Sequence, residues 1–252
     1  MTVAPRVRVI GPGRAGGSFA GALRSAGWDV VGLLGRDDDL GDAGHGVDLV
    51  LVATPDAAIA DVAARIAPRP EPVIAHVAGS LGLDVLGDHP RVACVHPLVA
   101  LPDAVLGASR LAAGTWFAVA GDALAQRVVS DLGGRWFEVA DADRAAYHAA
   151  AAVASNHLVA LLGQVERIAQ GIGVPPEAYV DLARASLDDV AAVGAARALT
   201  GPVARGDWAT VARHLAAIDE SERTAYLALA AAARRLVDDE GLPPDLTGPP
   251  PA

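Results

Sequence analysis

The sequence R-V-R-V-I-G-P-G-R-A-G-G-S-F-A-G, residues 6–21, joins a short apolar run to a cluster of glycines. The apolar run at residues 7–10 predicts a buried strand, and the apolar spacing after the glycines predicts a helix. Between the two stand Gly11, Gly13 and Gly16, which have the spacing G-x-G-x-x-G. A strand, a glycine turn and a helix in this order form the context that a dinucleotide-binding fingerprint requires.

Each glycine of this turn has its own task in a nucleotide-binding loop. Gly11 permits the tight turn, Gly13 lets backbone amides approach a pyrophosphate, and Gly16 lets the helix pack closely on the strand. The N-terminus of the helix presents free N–H groups and the positive end of its dipole to the phosphates. We therefore predict that this loop binds a dinucleotide through Gly11, Gly13, Arg14, Ala15 and Gly16.

The composition favours a soluble, cytoplasmic protein. The chain has 252 residues, of which 52% are hydrophobic, but no apolar run approaches the ~20 residues that span a bilayer. The net charge of −10 argues against nucleic acid as a partner. The single cysteine, Cys94, excludes an internal disulfide and fits a reducing compartment. We expect a small-molecule substrate, no membrane, no nucleic acid and no metal site.

Further apolar runs predict a Rossmann-type, doubly wound parallel sheet over residues 1–140. These runs occupy residues 28–34, 48–53, 73–77, 91–95, 115–120 and 136–139, and they are nearly continuous, as in strands buried on both faces. Ligands of such sheets bind at the carboxyl edge of the strands. The residues that follow the strands are therefore candidates for cofactor contact, namely Ala53, Thr54, Pro55 and Gly79, and for substrate contact, namely Ser80 and His96.

The end of the second strand helps to distinguish the two nicotinamide dinucleotides. An acidic residue at this point binds the ribose 2′-OH of NAD, whereas an arginine accommodates the 2′-phosphate of NADP. The first charged residue after the strand is Arg36, which favours NADP(H). Asp37 follows directly, so NAD stays an alternative.

From residue 141 the strands give way to alanine-rich segments with helical spacing. We predict an all-helical domain over residues 141–240 and a disordered, proline-rich tail over residues 241–252. On a helical wheel of the long helix predicted for residues 142–170, His148 and Asn156 share a stripe of polar and small residues. Such a stripe either approaches a ligand closely or holds a satisfied buried polar pair.

Several motifs resemble those of one bacterial family. They are residues 53–56 (A-T-P-D), 96–98 (H-P-L), 147–157 (Y-H-A-A-A-A-V-A-S-N-H) and 199–207 (L-T-G-P-V-A-R-G-D). The family that they resemble joins a Rossmann-like domain to a helical domain of unknown function, and its members are usually described as candidate NADP oxidoreductases. More distantly, the chain is similar to the 6-phosphogluconate dehydrogenase-like superfamily, which includes ketopantoate reductase and pyrroline-5-carboxylate reductase.

One residue of the superfamily pattern is missing. Many of its enzymes carry a lysine and an asparagine one turn apart on the first helix of the second domain. Asn156 matches the asparagine, but Ala152 stands one turn earlier, and all 20 basic residues of the chain are arginines. The usual acid–base lysine is therefore absent.

The resemblance implies an NADP(H)-dependent oxidoreductase that transfers a hydride to or from a small keto, hydroxy or imine acid in a cleft between the domains. His96 and His148 are the candidate proton donors, and His96 is preferred because Pro97 stiffens its loop. Asn156 and Ser80 would orient the substrate. The alternative function is a non-catalytic nucleotide-binding sensor or regulatory protein.

The loop at residues 199–207 supplies one further candidate for substrate binding. Arg205 could pair with a substrate carboxylate, or it could form an ion pair with Asp207 that only stabilises the loop. Related helical domains dimerise, and four alanine-rich helices bury little on their own. We therefore expect a homodimer built through the residues after 140.

Overall fold

The computed structural model describes residues 3–238 and 241–247, and the chain divides into two compact units between Ser155 and Asn156. The first unit contains a seven-stranded sheet in the order β2-β1-β3-β4-β5-β6-β7. Its strands are β1 (Arg6–Ile10), β2 (Asp29–Leu34), β3 (Leu49–Val52), β4 (Val73–His76), β5 (Val92–Pro97), β6 (Trp116–Gly121) and β7 (Arg135–Glu138). The sheet confirms the predicted α/β fold.

One strand pair departs from the predicted parallel arrangement. All neighbouring strands are parallel except β5 and β6, which are antiparallel and place Pro97 opposite Phe117. The chain therefore enters β6 at the edge where it leaves β5, instead of crossing back to the opposite edge. An apolar run shows that a strand is buried but carries no information on its direction, so the reversal could not be read from residues 115–120.

Helices cover both faces of the sheet. The α-helices of the first unit are α1 (Arg14–Ser25), α2 (Ile59–Ala64), α3 (Ala104–Leu111), α4 (Leu124–Asp131) and α5 (Arg144–Ala152). The side chains of β3 alternate between two buried clusters. Leu49 and Leu51 join Phe19 of α1, while Val50 and Val52 join Ile59 of α2. This alternation is what a strand covered on both faces requires.

The second unit is helical. Its helices are α6 (Leu158–Ala169), α7 (Pro176–Val193), α8 (Ala195–Ala198), α9 (Pro202–Arg205), α10 (Trp208–Ala217), α11 (Glu220–Arg234) and α12 (Pro244–Thr247). The long helix predicted for residues 142–170 is present, but a π-helical turn over Val153–His157 separates α5 from α6. A π turn widens the helix by one residue, so the regular spacing assumed in the helical wheel does not hold beyond Val153.

The two compact units differ in their bounds from the domains predicted from the sequence. The boundary between the compact units lies later than residue 140, because α5 belongs with the sheet. Of the predicted tail, the structure describes residues 241–247, which include the single helical turn α12. Residues 248–252 lie outside the described part.

Candidate functional site

The glycine loop follows β1, the strand at which the order of the strands in the sheet reverses. β2 lies on one side of β1, and β3 lies on the other. Gly11 has φ +104°, and a Cβ there would lie 2.6 Å from the carbonyl oxygen of Ala53. A Cβ on Gly16 would lie 1.9 Å from the carbonyl oxygen of Gly11. Both positions therefore exclude any side chain. Ligands of doubly wound sheets bind at such a switch point.

The same loop leaves room for a phosphate group. Nothing lies within 4 Å of a Cβ built on Gly13, which precedes the first turn of α1. That first turn holds Arg14 and Ala15 and contains no acidic side chain that would repel an anion. At the end of β3, the buried hydroxyl of Thr54 has no hydrogen-bond partner among the residues that the structure describes. An open space before a helix N-terminus and an unpaired hydroxyl beside it fit a dinucleotide.

Both a guanidinium and a carboxylate follow β2. Arg36 is exposed, and the carboxylate of Asp38 accepts a hydrogen bond of 2.6 Å from the backbone N–H of Gly35. A Cβ on Gly35 would lie 3.8 Å from Pro12 Cγ, so this turn adjoins the glycine loop. The geometry therefore does not decide between NAD and NADP(H), just as Arg36 and Asp37 do not decide in the sequence. Asp38 is a second acidic residue that could bind the ribose 2′-OH of NAD.

His96 forms the centre of a cluster of polar rings at the carboxyl end of β5. Its Nδ1 atom lies 2.6 Å from the hydroxyl oxygen of Tyr147 on α5, and the two rings meet edge to face at 5.5 Å. The ring of His148 lies 5.9 Å from the ring of His96. A Cβ on Gly79 would lie 2.8 Å from His96 Nε2 and 2.7 Å from His148 Cδ2. The structure thus brings together three predicted site residues and adds Tyr147.

The surroundings of His96 keep its imidazole neutral. Burial, together with the neighbouring His148 and Arg144, lowers the pKa of His96 from 6.5 to about 4. Burial also raises the pKa of Tyr147 to about 12. At neutral pH the pair is therefore an uncharged imidazole beside an uncharged phenol. The proton-donor role expected of His96 would have to be performed by a neutral ring.

Arg144 anchors the helix face that carries the other rings. Its side chain is only 1% exposed, although it stands in the first turn of α5. Its Nε donates to a carboxylate oxygen of Asp141 and its Nη1 donates to the sulfur of Cys94, both at 3.1 Å. Arg144, Tyr147 and His148 are three and four residues apart, so they share one helix face. This spacing could have been recognised in the sequence as a shared helix face, but no role was predicted for Arg144 or Tyr147.

Ser80 and Asp56 form a second polar contact near this edge. The Ser80 hydroxyl donates a hydrogen bond of 3.1 Å to a carboxylate oxygen of Asp56. The serine oxygen keeps its capacity to accept a hydrogen bond from a ligand. Ser80 is therefore suited to orient a donor group of a ligand.

The remaining predicted residues, Asn156 and Arg205, belong to the second unit. Asn156 is exposed and lies in the π-helical turn. Arg205 is exposed and ends α9. Asp207 accepts hydrogen bonds from the backbone N–H and the hydroxyl of Thr210, at 3.1 and 2.7 Å. Among the ion pairs of the described residues, none joins Arg205 to Asp207. The pKa of the Asp207 carboxyl is lowered by the hydrogen bonds from Thr210 and, to a smaller extent, by the charges of Arg213 and Arg205.

Comparison with known families supports the resemblance drawn from the motifs. Residues 117–233 match the family described as Domain of unknown function (DUF2520). This segment includes Tyr147, His148, Asn156 and Arg205, while the glycine loop and His96 precede it. The resemblance to a family that pairs a Rossmann-like domain with a helical domain of unknown function is therefore confirmed. No curated protein matches the chain.

Solved structures with the same architecture extend over nearly the whole chain. A candidate NADP oxidoreductase from Bacteroides fragilis matches with a TM-score of 0.77 and 19% identity, covering 92% of this chain and 98% of the other. A reductive aminase from Aspergillus terreus in complex with NADPH and ethyl levulinate gives 0.70 and 13%, covering 95% of each. The 1-pyrroline-5-carboxylate reductase from Streptococcus pyogenes gives 0.64 and 16%, covering 93% and 97%. At these identities the likeness establishes the fold.

Proposed function

We propose that this protein is an NADP(H)-dependent oxidoreductase that transfers a hydride to or from a small keto, hydroxy or imine acid. The proposal rests on two features that lie at the same edge of the sheet. One is the open glycine loop before α1, and the other is the cluster of His96, Tyr147 and His148. The first is suited to a dinucleotide and the second to proton transfer.

The loop residues would hold the cofactor, which supplies or accepts the hydride when bound. The backbone N–H groups from Gly13 to Gly16 would contact the pyrophosphate, and the Thr54 hydroxyl would gain a partner for its unpaired oxygen. Arg36 would bind a 2′-phosphate, which is the reason for preferring NADP(H) over NAD. The structural neighbours described with NADP or NADPH point in the same direction.

The ring cluster would manage the proton. Reduction of a C=O or C=N bond needs a proton donor at the oxygen or nitrogen as the hydride arrives at carbon. His96 is the best-placed candidate, because it lies at the carboxyl edge and contacts both Tyr147 and His148. We further propose that Ser80 and Asn156 orient the substrate and that Arg205, which has no ion pair within the described residues, binds its carboxylate.

We also propose that the protein is a homodimer formed through its helical unit. None of the 18 residues of α7 is buried by the part of the chain that the structure describes. Leu182 and Leu187 on this helix are 63% and 52% exposed. An isolated helix with so little packing is only marginally stable in water, so burial of these side chains against a partner would stabilise it. A second copy of the same helical unit would cover this surface.

We assign the protein to the soluble, cytoplasmic fraction. The segment Asp141–Ala169 is long and apolar enough to cross a membrane, with a mean hydropathy of 1.2. However, its first half is tied to the sheet by the Arg144 contact with Cys94 and by the Tyr147 contact with His96. A buried guanidinium and a hydrogen-bonded phenol fit a helix of a folded soluble unit.

A binding titration followed by a turnover screen tests the function. NADPH fluorescence would be titrated with the protein, and NADPH oxidation would then be followed with panels of 2-keto acids, 3-keto acids and cyclic imines. Tight binding together with oxidation by one substrate class supports the proposal. Tight binding without turnover on any panel favours the sensor alternative, for which the missing lysine is the supporting observation. Absence of binding contradicts both functions.

A further inference from the structure

We propose that Tyr147 and His96 form a proton relay, in which Tyr147 holds the imidazole in its Nε2–H form and replaces the proton that His96 gives to the substrate. The proposal rests on the reductase function proposed above. It assigns a role to Tyr147, which the sequence analysis did not select.

The hydrogen bond between His96 and Tyr147 favours one position for the proton of the imidazole ring. The Nδ1 atom of His96, 2.6 Å away, is the hydrogen-bond partner that the described residues offer to the Tyr147 hydroxyl. If Nδ1 carried the proton, it would donate to the phenol oxygen, and the phenol proton would have only solvent as an acceptor, since the described residues offer it no other partner. If the phenol donates instead, the phenol proton and the Nδ1 lone pair are matched to each other, and the proton on Nε2 is free for a ligand at the proposed site. The imidazole then carries its proton on Nε2.

The Nε2 atom is also the ring nitrogen on the side of the cofactor edge. A Cβ on Gly79, a residue predicted to contact the cofactor, would lie 2.8 Å from Nε2. Because Gly79 has no side chain, the approach to this nitrogen is not blocked from the loop that follows β4. The two nitrogens of His96 therefore face different partners: Nδ1 faces a phenol, and Nε2 faces the loop at the proposed site.

The charges around the ring favour a relay over a simple imidazolium acid. Arg144, His148 and His76 each disfavour a positive charge on His96, while Asp56 opposes them only in part. In a relay the ring loses one proton from Nε2 as it gains another at Nδ1. It therefore never carries a net positive charge beside the buried guanidinium of Arg144.

The step balances in the direction of reduction. The cofactor, when bound, would supply the hydride for the new C–H bond, and the C=O or C=N electron pair would move to the oxygen or nitrogen. That atom takes the Nε2 proton of His96, and Nδ1 takes the phenol proton of Tyr147. The resulting phenolate is less basic than an alkoxide, so the transfer runs toward the product. The starting state returns when Nδ1 gives its proton back to the Tyr147 phenolate and Nε2 takes a proton from water after the product leaves, since the His96 side chain is not fully buried.

The chain contains a matched control pair in its second unit. The Nδ1 atom of His214 lies 2.7 Å from the hydroxyl oxygen of Tyr226, and their rings meet edge to face at 6.0 Å. His214 is exposed and lies on α10 of the second unit, whereas His96 and Tyr147 belong to the first. Tyr226→Phe therefore removes the same kind of hydrogen bond from a histidine that has no role in the relay.

The kinetic test compares Tyr147→Phe, Tyr226→Phe, His96→Gln and the double variant Tyr147→Phe/His96→Gln, each checked for NADPH affinity. Tyr147→Phe should lower kcat by roughly 10- to 100-fold, less than the loss of a whole general acid, because water can partly replace the phenol. Tyr226→Phe should keep the parent rate. The double variant should fall no further than His96→Gln, because residues acting in series are not additive.

Two kinetic results would overturn the relay in an active parent enzyme. One is a Tyr147→Phe variant that turns over like Tyr226→Phe. The other is a double variant whose loss equals the product of the two single losses, which would mean that the residues act independently. Failure of the proposed function has a different signature, since the parent itself would then oxidise no NADPH with any substrate.

A spectroscopic measurement needs no substrate. The ¹⁵N chemical shifts of the two ring nitrogens of His96, assigned with the help of His96→Gln, report which nitrogen carries the proton. We expect the proton on Nε2 in the parent and in Tyr226→Phe, and a mixture of the two forms in Tyr147→Phe. A parent spectrum with the proton on Nδ1 would refute the assignment, whether or not a substrate is known.

Discussion

Acidification from pH 7 to pH 4 should lower the free energy of unfolding by about 3 kcal/mol through His76 alone. The side chain of His76 is fully buried in β4. Its Nε2 lies 3.2 Å from the carbonyl oxygen of Gly82, and its Nδ1 accepts a hydrogen bond of 3.2 Å from the backbone N–H of Ala78. A second ring proton would have to occupy Nδ1, where it would displace the Ala78 N–H.

The magnitude follows from the pKa of this group. Burial, together with the positive charge of Arg144, lowers the pKa of His76 from 6.5 to about 4. Because the folded pKa lies below the unfolded one, the unfolded state binds more protons at acid pH. Stability is therefore lost as the pH falls below 6.5, and the loss levels off below about pH 4. Each pH unit between these values contributes ~1.4 kcal/mol, which gives about 3 kcal/mol in all.

Urea denaturation followed by tryptophan fluorescence at several pH values between 7 and 4 would measure this loss. His76→Asn provides the comparison, because asparagine keeps an acceptor for the Ala78 N–H and does not titrate. The variant should be less stable at pH 7 but should lose about 3 kcal/mol less than the parent on acidification. His45→Gln, which changes an exposed histidine, should follow the parent. Equal losses in the parent and in His76→Asn would refute the reasoning.

Four further outcomes are expected. NADPH should bind more tightly than NADH in fluorescence titrations, Arg36→Ala should narrow the difference, and equal affinities in the parent would contradict the role of Arg36. Gly13→Val should abolish cofactor binding with little change in Tm of the apo protein, since no atom lies within 4 Å of the new Cβ; normal binding would place the site elsewhere. His96→Gln should lower kcat roughly 10²–10⁴-fold and His148→Gln less, whereas parent-like turnover of both would exclude them as proton donors. Light scattering at micromolar concentration should give a dimer, and a monomer would refute the interface proposed for the helical unit.

The features that could be predicted from sequence are those encoded by neighbouring residues. The glycine loop is an example, because the close approach of Gly16 to Gly11 is set by a turn of a few residues. The strands of the sheet were recognisable for the same reason, since each is a short apolar run. The positive φ of Gly11 and the start of α1 directly after Gly13 follow from the same local pattern.

Features that depend on distant residues were not accessible in this way. Tyr147 and His96 are 51 positions apart, and their contact exists only because α5 packs on the end of β5. The burial of Arg144 depends on the same packing, since an arginine in the first turn of a helix usually lies in solvent. The π-helical turn over Val153–His157 has no simple sequence signal. It undermines the helical-wheel argument that linked His148 to Asn156.

The contact of Gly79 with two imidazoles has a consequence for how this sequence can diverge. A methyl group at position 79 would lie within 2.8 Å of both His96 and His148, so neither ring could keep its place. The three positions should therefore vary as a set among relatives of this chain. An alignment should show glycine at position 79 wherever both histidines occur, and a larger residue only where at least one imidazole has been replaced by a smaller side chain.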